Sequence, residues 1–213
     1  RIQPAILEDD RLVGELTLSI SLQHSERLMP AIERLLVDAD ICLDAIDLFA
    51  VSHGPGSFTG IRIGLATVQG LAFSQGKPVI GISSLEALAM NGLYFDGLVV
   101  PMLDARRNEI YGAAYRWEAN QLKRVVDEVA LPPETFLSHL NRFDGDSQRL
   151  FIGSGAVAYR QIFAGEKALF PPELFHTPRA ASVGMLAARK FQASPLTDSS
   201  TLLPHYLRTA DTT

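Results

Sequence analysis

An α/β fold is predicted by three features of the chain. Short apolar runs such as Leu48-Phe49-Ala50-Val51 and Val79-Ile80-Gly81-Ile82 have the length and composition of buried strands. Between them Gly60, Gly64, Thr67 and Leu71 recur on a helical period, and Gly76-Lys77-Pro78 supplies a helix stop. The alternation then continues: Ser83 or Ser84 can cap a further helix through Met90, ended by Asn91-Gly92. Strands alternating with helices in this way build parallel sheets.

Taken in order, Pro4-Ala5-Ile6-Leu7 and the run from Leu12 to Ile20 flank the polar break Glu8-Asp9-Asp10-Arg11, which is short enough for an antiparallel hairpin. Ser25 can cap a helix to about Ala39, with Leu28, Ile32, Leu35 and Leu36 at helical spacing and Glu26, Glu33 and Arg34 outward. Pro30 in its second turn is expected to bend it or delay its start. A second series of strands begins at Leu98-Val99-Val100-Pro101-Met102-Leu103, continues with Glu109 to Trp117 as part of a β-rich hairpin, and adds Leu122 to Val129. Pro132-Pro133-Glu134 opens a helix to Leu140, Asp144-Gly145-Asp146 is a loop, and Leu150 to Ile152 is a strand that runs into the turn Gly153-Ser154-Gly155. Ala156 to Phe163 reads as one short helix and Ala180 to Gln192 as an amphipathic one, with Pro171-Pro172 and Thr177-Pro178 punctuating the loop between them. A polar link from Ser194 to Thr201 leads to a tail expected to dock through Tyr206-Leu207-Arg208 and to be mobile from Thr209 to Thr213. The pattern fits two similar halves, 1–97 and 98–213, with the tail able to pack back.

With 213 residues and 47% hydrophobic content, the chain can bury about 70% of its unfolded surface, enough for one large or two small cores. The single cysteine, Cys42, excludes an internal disulfide and suits a reducing cytoplasm. No run approaches the ~18 apolar residues of a membrane span, and Arg1-Ile2-Gln3-Pro4 does not read as a signal peptide, so a soluble protein with no membrane partner is expected.

The stretch His53 to Gly64 joins a strand to a helix, and its composition suits a tight turn. Gly54 and Gly56 can take positive φ, Pro55 fixes its own φ, and Ser57 or Thr59 can cap the helix. A loop at a helix start can also cradle phosphate. Here no Gly-Lys-Ser/Thr follows, the G-x-G-x-x-G spacing is absent, and Ser57 does not stand midway between glycines as a hydrolase nucleophile would. The residues therefore favour a structural turn and a helix face, small at Gly60 and Gly64, that lets another helix approach closely. The five histidines, His24, His53, His139, His176 and His205, are scattered and no pair is four apart, so neither a metal site nor a catalytic base is assigned among them.

The segment GPGSFTGIRIG at 54–64, with Leu65-Ala66 and Gln69-Gly70-Leu71-Ala72 behind it, resembles the TsaB/YeaZ family. The likeness continues through Lys77-Pro78-Val79-Ile80-Gly81-Ile82-Ser83-Ser84-Leu85, Leu103-Asp104-Ala105-Arg106-Arg107-Asn108-Glu109-Ile110-Tyr111 and Pro204-His205-Tyr206-Leu207-Arg208. The resemblance implies a duplicated, two-lobed actin-like fold of the sugar-kinase and Hsp70 kind. It also implies a non-catalytic role in making threonylcarbamoyladenosine on transfer RNA, with a TsaD-like catalytic subunit and a TsaE-like ATPase as partners and a homodimer when alone. Members begin with a short strand carrying an Asp-Thr turn; this sequence enters at what would be the second strand, through truncation, processing or an opening outside the sequence. The strand concerned is central in its sheet, so a consequence for fold or pairing is expected.

TsaD holds a metal with a His-x-x-x-His pair, and the corresponding place here is Ser84-Leu85-Glu86-Ala87-Leu88, where serine and leucine replace both imidazoles. Leucine offers a metal no lone pair, so neither metal nor cofactor is expected. Asp104-Ala105-Arg106 stands where an actin-like ATPase has an Asp-Gly phosphate turn, and the missing glycine obstructs close approach to a phosphate. Gly153-Ser154-Gly155 resembles an adenosine-side turn, and a plain strand-to-helix turn accounts for it equally. Asp104, Arg106, Arg107 and Glu109 are expected to pair with one another at the domain junction. A formal charge of −5 argues that tRNA is touched only indirectly, since affinity for it is mostly phosphate neutralisation by clustered Lys and Arg. The partner surface is assigned to Gly60, Ile61, Gly64, Leu65, Leu28 and Ile32, on helices at about 25–39 and 58–75. Two other functions stay open: an ATPase, kinase or glycoprotease-like peptidase of the same fold, and a homodimeric regulatory module unrelated to tRNA.

Overall fold

The computed structural model describes residues 1–19, 24–119, 121–194 and 202–207, with backbone alone for His24 and Ser25. The chain divides into two compact units, Arg1–Ser83 with Arg179–Pro204, and Ser84–Pro178 with His205–Thr213. The expected division at 97/98 and a contiguous second half differ from this. Two packing facts explain the difference: residues 85–89 join the core that follows them in sequence, and the helix after Pro178 returns to the first unit.

In the first unit, β1 (Ala5–Glu8) and β2 (Arg11–Glu15) form the antiparallel hairpin, extended by pairing of Ile2 with Leu18. The regular strand is therefore shorter than the apolar run from Leu12, whose last residue, Ile20, lies outside the described residues. Helix α1 (His24–Asp38) carries Pro30 inside it and buries Ala31 and Leu35, while Leu28, Ile32 and Leu36 are half-buried. Strand β3 (Phe49–Gly54) leads through the turn into α2 (Phe58–Gln75), and β4 (Val79–Ser83) pairs with β3 in parallel. Among the described residues the strands of this unit form two separate two-stranded sheets, β1-β2 and β3-β4, with no ladder joining β1 to β3.

The second unit opens with the short helix α3 (Ser84–Ala89) and holds one five-stranded sheet ordered β7-β6-β5-β8-β9. Strands β5 (Leu98–Arg106), β6 (Glu109–Glu118) and β7 (Gln121–Leu131) are antiparallel neighbours, whereas β8 (Arg149–Ile152) and β9 (Ala168–Leu169) run parallel to β5. Between β7 and β8 lies α4 (Pro133–Phe143). The single helix read over Ala156 to Phe163 is two: α5 (Ser154–Ala158) and α6 (Arg160–Phe163), interrupted at Tyr159, where ψ is 25°. Side chains alternate across the sheet as the pleat requires. Leu98, Val100, Met102, Ile110 and Ala114 pack with Phe136, Leu140 and Phe163 on one face, and Val99, Ala113 and Tyr115 pack with Leu85 and Leu88 on the other. Covering both faces is what makes Leu98 to Leu103 an unbroken apolar run instead of an alternating one. Each fully buried Leu or Phe here contributes about 1.5–3 kcal/mol.

The last helix, α7 (Ala180–Ala193), packs on β1, β3 and β4. Its first turn is held by β2: the Glu15 carboxylate accepts from Ala181 N–H at 3.0 Å and pairs with Arg179 Nη2 at 2.5 Å. Gly184 sits so close to β1 that an added Cβ would come within 2.6 Å of Leu7 Cδ1. The tail keeps Leu202 and Leu203 on the first unit, where Gln69 Nε2 donates to Leu202 O at 3.0 Å. His205 meets Glu128 of the second at 3.1 Å. The tail residues from Arg208 on, and the link 195–201, lie outside the described residues.

Candidate partner-binding surface

The turn between β3 and α2 is built as a helix start. Gly54 and Pro55 are buried, Gly54 has φ 122°, and the Ser57 hydroxyl accepts from Gly60 N–H at 3.3 Å. Ser57 is thus the cap, and Thr59 stands exposed in the first turn. At the other end Gly76, with φ 62°, closes α2 by donating to the Ala72 and Phe73 carbonyls.

The helix between these caps turns its faces differently from the sequence expectation. Ile61, Leu65 and Ala72 are buried in a cluster with Val51 and Val79, so Ile61 and Leu65 belong to the core of their own unit and leave little surface for a partner. Gly64 also faces inward: an added Cβ would lie 3.6 Å from Val51 Cγ2. Gly60 is exposed, and a Cβ there would meet only the Ser57 side chain. The face α2 presents outward carries Thr59, Arg62, Ala66, Gly70 and Phe73, with Phe73 90% exposed and the Arg62 guanidinium 3.7 Å from the Phe58 ring centroid. The neighbouring α1 packs against α2 and exposes Val37 by 75%, while Leu28 and Ile32 are half-covered. Exposed aromatic and aliphatic side chains on two packed helices, with small residues between them, make a surface suited to another protein.

The positions compared with catalytic relatives have structural employment. Leu85 and Leu88 are fully buried and Ser84 is nearly so, all within α3. Among the described residues no three His, Cys, Asp or Glu side chains come together in a way that could hold a metal ion. Asp104 pairs with Arg106 at 3.5 Å, accepts from Arg106 N–H at 2.9 Å, and donates its own N–H to Ser154 Oγ at 3.1 Å. Asp104 and Arg106 of the expected four-residue network thus pair with each other, and Arg107 and Glu109 line a cavity of about 350 Å³ with Pro132, Pro133 and Tyr159. Residues 106–108 all have positive φ, which forms the tight β5–β6 turn.

At Gly153 the absence of a side chain is a packing demand. Its φ is 104°, and a Cβ there would fall 2.1 Å from Met102 O. Its N–H donates to Nδ1 of the buried His176 at 3.0 Å, and His176 Nε2 in turn reaches Pro171 O at 3.0 Å. Both ring nitrogens are used, so His176 locks the glycine turn to the loop before α7. Asn91 Nδ2 braces the same loop through Phe175 O and Thr177 O. Sequence reading missed this pair; the only signal was a histidine in a proline-punctuated loop.

The family model described as TsaD, tRNA N6-adenosine threonylcarbamoyltransferase, matches residues 18–212. The tRNA threonylcarbamoyladenosine biosynthesis protein TsaB of Bacillus subtilis is 34% identical over 97% of this chain and 89% of its own length. TsaB of Escherichia coli K12 is 32% identical over 66% of this chain and 61% of its own. Two solved structures share the fold and 29% identity: a Pseudomonas aeruginosa protein with similarity to peptidase YEAZ, TM-score 0.82 over 97% of this chain and 94% of that one, and YeaZ from Pseudomonas aeruginosa, TM-score 0.81 over 96% and 93%. No helix among the described residues is long and apolar enough to cross a membrane. With an actin-like α/β fold and motifs that run from the β3–α2 turn to the tail, the chain belongs to the TsaB/YeaZ family of tRNA threonylcarbamoyladenosine biosynthesis proteins.

Proposed function

We propose that this chain is a non-catalytic scaffold that pairs with a TsaD-type enzyme, in the cytoplasm, while that enzyme and a TsaE-like ATPase modify the adenosine beside the tRNA anticodon. The observation that carries the reading is the use of Ser84, Leu85 and Leu88 as core, in the place where the catalytic relative needs imidazoles. The formal charge of −5 supports contact with tRNA through the partner only. Binding uses the outward face of α1 and α2, and the same face forms a homodimer when the enzyme is absent.

The test pairs two variants in calorimetric titration against the TsaD-type subunit and in light scattering of the chain alone. Ala66→Glu places a charge on the outward face and is expected to weaken both associations about tenfold or more, that is ~1.4 kcal/mol. Ser57→Ala removes only a cap and should bind normally. Normal binding by Ala66→Glu would remove α2 from the interface. A well-bound but inactive Ser57→Ala would favour a hydrolytic serine over the scaffold.

A further inference from the structure

We infer that the tail is a strap: Leu202 and Leu203 fasten the carboxyl half of α2 to the β3–β4 sheet, and that half of the helix opens and closes with them. The two halves of α2 are anchored unequally. The first sinks Ile61 and Leu65 into the core, whereas the second, which carries the outward Gly70 and Phe73, buries only Ala72 fully. Buried apolar area sets the hold of a side chain, and a single methyl group has little of it.

The tail supplies the missing hold. Val51 and Gly81 are register partners in β3 and β4, so both face the side of the sheet on which α2 lies. Val51 packs with Ile61 and Leu65 of the helix. Over Gly81 the cover is the tail: an added Cβ would fall 2.5 Å from Leu202 Cδ1 and 3.2 Å from His53 Cγ. The missing side chain is thus the floor of a socket, with His53 as one wall, and the seated Leu202 also packs on the cluster that holds Leu65, Ala72 and Val79. Two successive tail carbonyls are caught as well. Gln69 Nε2, on α2 beside Gly70, donates to Leu202 O at 3.0 Å, and His53 Nδ1, in β3, lies 3.4 Å from Leu203 O. One tie runs to the helix and the other to the sheet, so the tail joins the two. Leu203 serves through its carbonyl, since its side chain is 74% exposed. One half-buried leucine and two hydrogen bonds open far more often than the core beneath them, which gives the carboxyl half of α2 a local opening of its own.

The test is hydrogen exchange of the full chain, read amide by amide along α2 by NMR. Leu202→Ala empties the socket and is expected to speed exchange at amides 69–76 about tenfold, ~1.4 kcal/mol of local opening. Amides 62–66 should keep their rates, because Ile61 and Leu65 hold that half without the tail. Gln69→Ala cuts the tie to the helix and should act on the same amides in the same direction. Leu202→Met refills the socket and should restore slow exchange, whereas Leu203→Ala trims an exposed side chain, keeps its carbonyl and should change nothing. These substitutions leave the core of the unit intact, so each variant folds and can be read. Exchange unchanged by Leu202→Ala would overturn the strap. Equal acceleration along the whole of α2, or an equal effect of Leu203→Ala, would overturn it too.

Discussion

At the level of single residues, the turn after α4 carries the clearest electrostatic device in the described structure. Hydrogen bonds from the Ser147 hydroxyl and from the Ser147 and Asp146 amides hold the Asp144 carboxyl down at about 2, below its ordinary 3.8, with the Arg116 charge adding to them. A carboxyl whose pKa is depressed by folding contributes stability that is full above the unfolded pKa and fades as pH falls through the folded one. The stability difference between wild type and Asp144→Asn should therefore be constant from neutral pH down to about 5 and shrink between about 4 and 2, as urea titrations at each pH will show. A difference independent of pH would mean that the carboxylate is not the origin. Gly153 gives a second residue-level prediction. A methyl group has no room against Met102 O, so Gly153→Ala should cost about 1–3 kcal/mol or more, read as a lowered urea midpoint. Sequence reading recognised Asp144-Gly145-Asp146 as a loop and Gly153 as a turn residue from local chemistry alone. It could not see Arg116 or His176, because those partners lie 28 and 23 positions away and reach these sites only through tertiary packing.

Among the elements, α2 shows where periodicity stops being informative. Its ends were legible: Ser57 and Gly76 are capping residues, and both cap. Its faces were not. Ile61, Ile63, Leu65, Val68, Leu71 and Phe73 distribute apolar side chains around the whole helix, so no stripe tells inside from outside. Val51 and Val79 decide it by claiming the side with Ile61 and Leu65. The consequence is testable: Gly64→Leu presses on Val51 and should destabilise the first unit by about 1–3 kcal/mol, while Ala66→Glu, pointing outward, should leave folding within about 0.5 kcal/mol. Equal stability of the two variants would contradict the assigned faces. Helix α7 teaches a related lesson. Its amphipathic pattern was plain, but its N-terminal anchor is Glu15, more than 160 positions earlier, which no local motif announces. Glu15→Ala removes a charged acceptor from a helix start and should cost about 1.5–3 kcal/mol, measured by thermal or urea unfolding.

For the whole molecule, the alternation of strands and helices was sufficient to predict an α/β chain, because hydrophobic runs and glycine or proline stops are written locally. The sheet order β7-β6-β5-β8-β9 and the return of α7 to the first unit are not, since they depend on which edges and faces find each other after the elements form. The family motifs bridge that gap, and the Bacillus subtilis relative, at 34% identity over 97% of the chain, supports a role in tRNA threonylcarbamoyladenosine biosynthesis. On the function proposed above, the threonylcarbamoyl transfer is done by a partner, and this chain contributes surface instead of chemistry. The most direct measurement is the formation of threonylcarbamoyladenosine on tRNA by a TsaD-type enzyme and a TsaE-like ATPase supplied with threonylcarbamoyl-AMP, with this chain added or omitted. Modification that depends on the chain, survives Asp104→Asn and falls with Ala66→Glu is the predicted result. Full modification without the chain, or turnover by the chain alone that Asp104→Asn abolishes, would contradict it.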